Sequence, residues 1–86
     1  MATGDEIPPA GWSKQDDRLT AEFVFPTFAE AIAFVNRVAE HADSMNHHPD
    51  IDIRYNRVHL VLTTHDAGGL TRLDYDLAGR ISRTAG

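Results

Sequence analysis

The spacing of the apolar residues switches between two periods along this chain, and the order of the switches leaves few folds open. Leu19, Ala21, Phe23 and Phe25 alternate with Thr20, Glu22 and Val24, the period of a strand with one buried face. A shorter extended run from Trp12 to Lys14 precedes it, and Gln15-Asp16-Asp17 reads as the turn of a hairpin. Pro26 stops the second strand. Thr27 followed three residues later by Glu30 forms a capping box, and Phe28, Ile32, Val35, Ala39 and Ala42 recur at the helical period, so a helix is expected over about 28–45. Asn46 suits its C-cap.

The alternation then returns. Ile51, Ile53 and Tyr55 alternate with Asp52 and Arg54, and Val58, Leu60 and Leu62 alternate with His59, Val61 and Thr63, with Asn56-Arg57 as the expected turn. Ala67-Gly68-Gly69 breaks the chain. Thr71 and Asp74 cap a last helix whose Leu70, Leu73, Leu77 and Ile81 share a face. The order β-β-α-β-β-α specifies an α+β fold, a four-stranded antiparallel sheet with both helices packed on one face. With 86 residues there is room for a single domain, expected over 11–86, after a loosely held Pro- and Gly-containing leader at 1–10. So short a chain buries a modest core, which favours homo-oligomers, a dimer or tetramer, that cover the free face of the sheet.

Charge narrows the function classes. Thirteen acids against eight bases give a net charge of −5, and the bases stand singly along the chain, so no basic stripe exists to neutralise phosphates. Direct nucleic-acid and membrane partners are not expected. The N-terminal residues carry acids and prolines where a signal peptide needs a basic start and an apolar run, and no apolar stretch is long enough for a membrane span, which points to the cytoplasm. The absence of cysteine removes disulfides and thiolate chemistry.

Histidine is the residue with chemistry to offer: there are five, and His41, His47, His48 and His65 sit at the junctions between elements. If Asn56-Arg57 is a two-residue loop, Tyr55 pairs with Val58, Ile53 with Leu60 and Ile51 with Leu62, Arg54 meets His59 and Asp52 meets Val61. The same register carried to the open end of the hairpin sets His48 opposite His65. Pro49 holds His48 extended, and Asp43 lies four residues before His47, so Asp43, His47, His48 and His65 can line one pocket. Imidazole gives and takes protons near neutral pH, which makes this an acid/base set without a nucleophile. A single histidine on a strand end, such as His41 or His59, is more often a solvated polar residue. No metal site is expected, since neighbouring His47 and His48 diverge on an extended chain and there is no H-E-x-x-H helix. Gly68-Gly69 lacks the context of a phosphate loop and reads as a turn.

These residues carry a resemblance. The run Asp43-Ser44-Met45-Asn46-His47-His48-Pro49, then Tyr55, His65 and Asp74 at their spacings, is similar to the signature of the pterin-4a-carbinolamine dehydratases, also called 4a-hydroxytetrahydrobiopterin dehydratases. Tyr55-Asn56, Val58-His59, Thr64-His65-Asp66, Ala67-Gly68-Gly69-Leu70, Leu77-Ala78 and Gly11-Trp12 fit the same pattern over residues 11 to about 83.

The resemblance implies a carbon-oxygen lyase that converts 4a-hydroxytetrahydrobiopterin to quinonoid dihydrobiopterin and water, recycling the pterin spent by an aromatic amino-acid hydroxylase, with no metal or organic cofactor. It implies His47, His48 and His65 as the catalytic set and Asp43, Thr63, Thr64, Asp74 and Trp12 as substrate contacts, although a lone Trp is more often a core residue. Three positions depart from the family: Asp43 stands where many members have the longer Glu, Leu73 where some have Arg, and Ile51 where animal members have an aromatic. Two rival readings come with the resemblance: a non-catalytic binding module of the dimerisation-cofactor type, which serves a transcription factor in animals, and a dehydratase for another pterin.

Overall fold

A computed structural model describes residues 7–85; the first six of the ten leader residues lie outside them. The chain runs β1 (Trp12–Gln15), β2 (Arg18–Val24), α1 (Phe28–Met45), β3 (Asp50–Arg54), β4 (Arg57–Leu62), a 3-10 turn (His65–Ala67) and α2 (Arg72–Ala85). All neighbouring strands are antiparallel in the order β1-β2-β4-β3, so the expected α+β architecture is the one adopted. Leu19 and Ala21 of β2 and Val58, Leu60 and Leu62 of β4 are buried on the helix-bearing face, while Glu22, Asp52 and His59 stand exposed on the other. That is the inside/outside alternation of a sheet covered on one side.

Three details differ from the sequence expectation. The first is the turn between β3 and β4, which is Tyr55-Asn56 rather than Asn56-Arg57, with the positive φ at Tyr55 (54°). Ile53 therefore pairs with Val58, Ile51 with Leu60 and Asp52 with His59, a slip of two residues that leaves the apolar parity unchanged. The tip is held by Asn56: its Nδ2 donates to the Phe25 carbonyl at 2.7 Å, and its own carbonyl accepts from Phe25 N–H at 2.9 Å. Arg57 is thereby drawn into the ladder opposite Val24.

The second is the buried face of α1. The boundaries are as expected, with the Thr27 hydroxyl accepting from Glu30 N–H at 3.1 Å and Asn46 in the left-handed cap conformation. The core face, however, is Ala31, Phe34, Val38 and Ala42, while Phe28 is exposed. Phe34 anchors this face, its ring centroid 5.1 Å from Phe23 and 4.9 Å from Phe25, while Phe28 stacks on the exposed Tyr55 ring at 6.3 Å.

The third is the buried face of α2, where Asp74, Tyr75, Leu77, Ala78 and Ile81 turn inward and Leu73 remains 42% exposed. A carboxylate displaces a leucine from the expected stripe because three groups from three segments of the chain bind it, as described below.

Burying a large side chain is worth about 1.5–3 kcal/mol, so the apolar cluster carries this small fold. Phe34→Ala should lower unfolding free energy by about 3–5 kcal/mol, whereas Phe28→Ala at the exposed start of α1 should change it by about 1 kcal/mol or less. Urea titration followed by tryptophan fluorescence measures both, and the reverse ranking would contradict the assigned helix face.

Candidate active site

The end of α1 and the loop after β4 meet at an open cleft of about 300 Å³, lined by Asn46, His47, His48, Thr63, Thr64, His65 and Asp66. Asn46 places the first wall. Its φ of 49° and ψ of 44° end the helix at a single residue, and the His47 N–H still bonds back to the Ala42 carbonyl at 3.0 Å. His47 is thus fixed to the helix terminus, and His48 follows on the chain as it extends into β3. The opposite wall is the β4–α2 loop, closed by paired backbone bonds between Thr64 and Gly69 at 3.1 and 3.2 Å. Gly68, with φ of 72°, supplies the left-handed turn that this closure needs.

The two neighbouring histidines have different surroundings. His47 Nε2 lies 2.6 Å from Asp74 Oδ1, with the His47 side chain 11% exposed and that of Asp74 0%. Asp74 Oδ2 accepts from the Thr64 hydroxyl at 2.7 Å and from Thr71 N–H at 2.9 Å. A buried carboxylate costs several kcal/mol unless its lone pairs are filled, and here a hydroxyl, a backbone N–H and an imidazole converge on it. His48 Nε2 meets Asp43 Oδ1 at 2.9 Å, but those side chains are 57% and 80% exposed. In water such a pair contributes about 0–1 kcal/mol, enough to bias a ring orientation and little else.

His65 opens the 3-10 turn, exposed and without a side-chain hydrogen bond among the described residues. Of the expected site residues, His47, His48, His65, Thr63 and Thr64 line one cleft. Asp43 reaches it only through His48. Asp74 is enclosed behind His47, and the Thr64 hydroxyl is committed to it. Trp12 belongs to the core, edge-on to Phe23 at 6.4 Å, and is not among the lining residues. Asn46 and Asp66 complete the lining; sequence reasoning assigned the first only a capping role, and its position directly before the histidine pair was the available signal.

An open polar cleft with three imidazoles can transfer protons at two points of one small molecule. Among the described residues no group of three or more His, Cys, Asp or Glu is arranged to hold a metal ion, and no helix is long and apolar enough to cross a membrane.

Comparison with known proteins bears on this site. The sequence profile of pterin 4 alpha carbinolamine dehydratase matches residues 3–84. A protein of Thermomicrobium roseum, named provisionally a pterin-4-alpha-carbinolamine dehydratase, is 59% identical over 80 residues, covering 93% of this chain and 84% of its own. One of Acidobacterium capsulatum with the same provisional name is 57% identical over 70 residues, covering 81% and 76%. Among solved structures, a transcriptional coactivator/pterin dehydratase from Brucella melitensis superposes with a TM-score of 0.87 at 36% identity, over 91% of this chain and 85% of that one. A pterin dehydratase-like RuBisCO assembly factor of the alpha-carboxysome shares the fold, with a TM-score of 0.71 at 22% identity over 87% of both chains. By the extent of the profile match and the identity to these relatives, the chain belongs to the pterin 4 alpha carbinolamine dehydratase family.

Proposed function

We propose that the protein is a carbon-oxygen lyase that dehydrates 4a-hydroxytetrahydrobiopterin to quinonoid dihydrobiopterin. The observation that carries this reading is the gathering of His47, His48 and His65 around one cleft in a chain of this family. In the reaction the C4a–O bond breaks, the hydroxyl leaves as water after receiving a proton, and the N5–H bond gives up its proton and its electron pair to form C4a=N5. One proton is delivered and one removed, so the enzyme needs an acid and a base and no redox partner.

His47 serves as the acid at the departing hydroxyl, and His48 and His65 take the N5 proton and orient the ring. Asp74 and Thr64 act from behind His47, consistent with the enclosure of the one and the committed hydroxyl of the other. Thr63 remains a cleft-wall contact, and Asp43 orients His48. The enzyme works in the cytoplasm beside an aromatic amino-acid hydroxylase, whose spent pterin it returns. A coactivator role is the second reading, favoured by the double name of the Brucella relative; its partner would be a protein, since this chain has no basic cluster for nucleic acid.

The chain assembles with copies of itself, supported by the open sheet edges at β1 and β3 and the uncovered outer face. Light scattering at micromolar concentration should return a dimer or tetramer, and a mass of about 9.5 kDa would reject assembly.

Activity is tested by generating the 4a-hydroxypterin with phenylalanine hydroxylase and following its ultraviolet decay. The protein should accelerate the decay, and His48→Ala and His47→Gln should each lower turnover by about 10²-fold or more. Gln retains an amide donor toward Asp74, which keeps the fold. No acceleration by the folded wild type would reject the dehydratase reading.

The two histidines should also separate in stability. His47→Ala strands a buried carboxylate and should cost about 3–5 kcal/mol, whereas His48→Ala should stay within about 0.5 kcal/mol of wild type by urea titration.

A further inference from the structure

The hydrogen bonds behind His47 have a direction that proton counting reveals. A threonine hydroxyl has one proton to donate and two lone pairs to accept with. The proton of Thr64 goes to Asp74 Oδ2 at 2.7 Å, so the 2.8 Å contact between the Thr64 and Thr71 hydroxyls must take its proton from Thr71. Thr71 contributes twice, because its backbone N–H also donates to Oδ2 at 2.9 Å, and an amide N–H cannot reverse its role. With Oδ2 filled by two donors, that oxygen carries no proton, and only a proton on Oδ1 could make Asp74 a donor. Its other oxygen, Oδ1, is buried and lies 2.6 Å from His47 Nε2.

We propose that Thr64, oriented by Thr71, is a positioning residue that keeps neutral His47 in its Nε2–H tautomer, leaving Nδ1 as the atom that exchanges protons with a molecule in the cleft. Asp74 accepts the Nε2 proton whether the ring is neutral or protonated, so every proton that His47 gains or loses passes through Nδ1. Nδ1 has no hydrogen-bond partner among the described residues, while the ring lines the cleft. The reverse polarity, a protonated Asp74 Oδ1 donating to Nε2, would place the ring proton of neutral His47 on Nδ1 and remove the lone pair that takes up the proton His47 later delivers to the departing hydroxyl. The catalytic use of Nδ1 rests on the dehydratase reading above; the tautomer itself does not.

The test is a long-range proton–nitrogen correlation spectrum of the whole protein labelled with 15N-histidine, recorded where His47 is neutral, its signals assigned by their loss in His47→Gln. The wild type should show a protonated Nε2 and an unprotonated Nδ1. Thr64→Val, which removes the hydroxyl donor and keeps the shape, should bring in the Nδ1–H form and lower kcat about tenfold with KM little changed, and Thr64→Ser should restore both spectrum and rate. An Nδ1–H tautomer in the wild type would overturn the proposal, as would a Thr64→Val spectrum identical to wild type. If Thr64→Val fails to fold, the wild-type spectrum still decides the polarity and Thr64→Ser must retain it. An Nε2–H tautomer in a wild type that turns over no pterin would support the hydrogen-bond chain and count against the dehydratase reading instead.

Discussion

A single buried carboxylate organises the functional half of this molecule. Asp74 lies in the first turn of α2, fills its oxygens with the Thr71 N–H, the Thr64 hydroxyl and the His47 ring, and so ties the helix start, the loop after β4 and the end of α1 to one point. The apolar cluster holds sheet to helices, but it does not specify where the two cleft walls stand relative to each other. A satisfied buried polar network does specify this, because each bond has a narrow geometry and each unmade bond would carry a desolvation cost of about 1–3 kcal/mol.

The same network explains where the amino-acid pattern could be followed and where it could not. Alternation in β2 and β4 and the caps at Thr27 and Asn46 are local signals, and they located the strands and α1 to within a residue or so. The inward face of α2 was legible only in part, because Leu77 and Ile81 obey the apolar stripe while Asp74 takes the place that Leu73 was expected to fill. Asp74 was read as part of a helix cap and, by resemblance, as a substrate contact, and its capping bond to Thr71 N–H is present. What periodicity cannot express is that its second oxygen has a tertiary partner 27 residues away.

The hairpin register shows a different limit. Both Tyr55-Asn56 and Asn56-Arg57 loops keep Ile51 and Ile53 on the face of Val58 and Leu60, so hydrophobic pattern cannot choose between them. The choice is made by Asn56 bonding to Phe25, a contact between segments that no local rule joins. The expected cross-strand pairing of His48 with His65 goes with the wrong register, yet the two still line one cleft, because β3 begins only at Asp50 and the loop after β4 folds back over the gap. The candidate site was thus legible as a set of residues and not as a geometry.

The left-handed residue that closes α1 makes helix length and site geometry one quantity. His47 stands two residues after the last helical position and is bonded to the carbonyl of Ala42, five positions back, so its direction is inherited from the angular phase of the helix. Each residue of an α-helix advances that phase by about 100°. Solvent-facing side chains of α1 can therefore drift freely over evolutionary time, whereas one inserted or deleted residue between Phe34 and Asn46 would swing His47 away from its buried carboxylate while leaving the aromatic packing in place. Gap placement in this helix, more than residue identity on its surface, is where divergence and loss of the site would coincide.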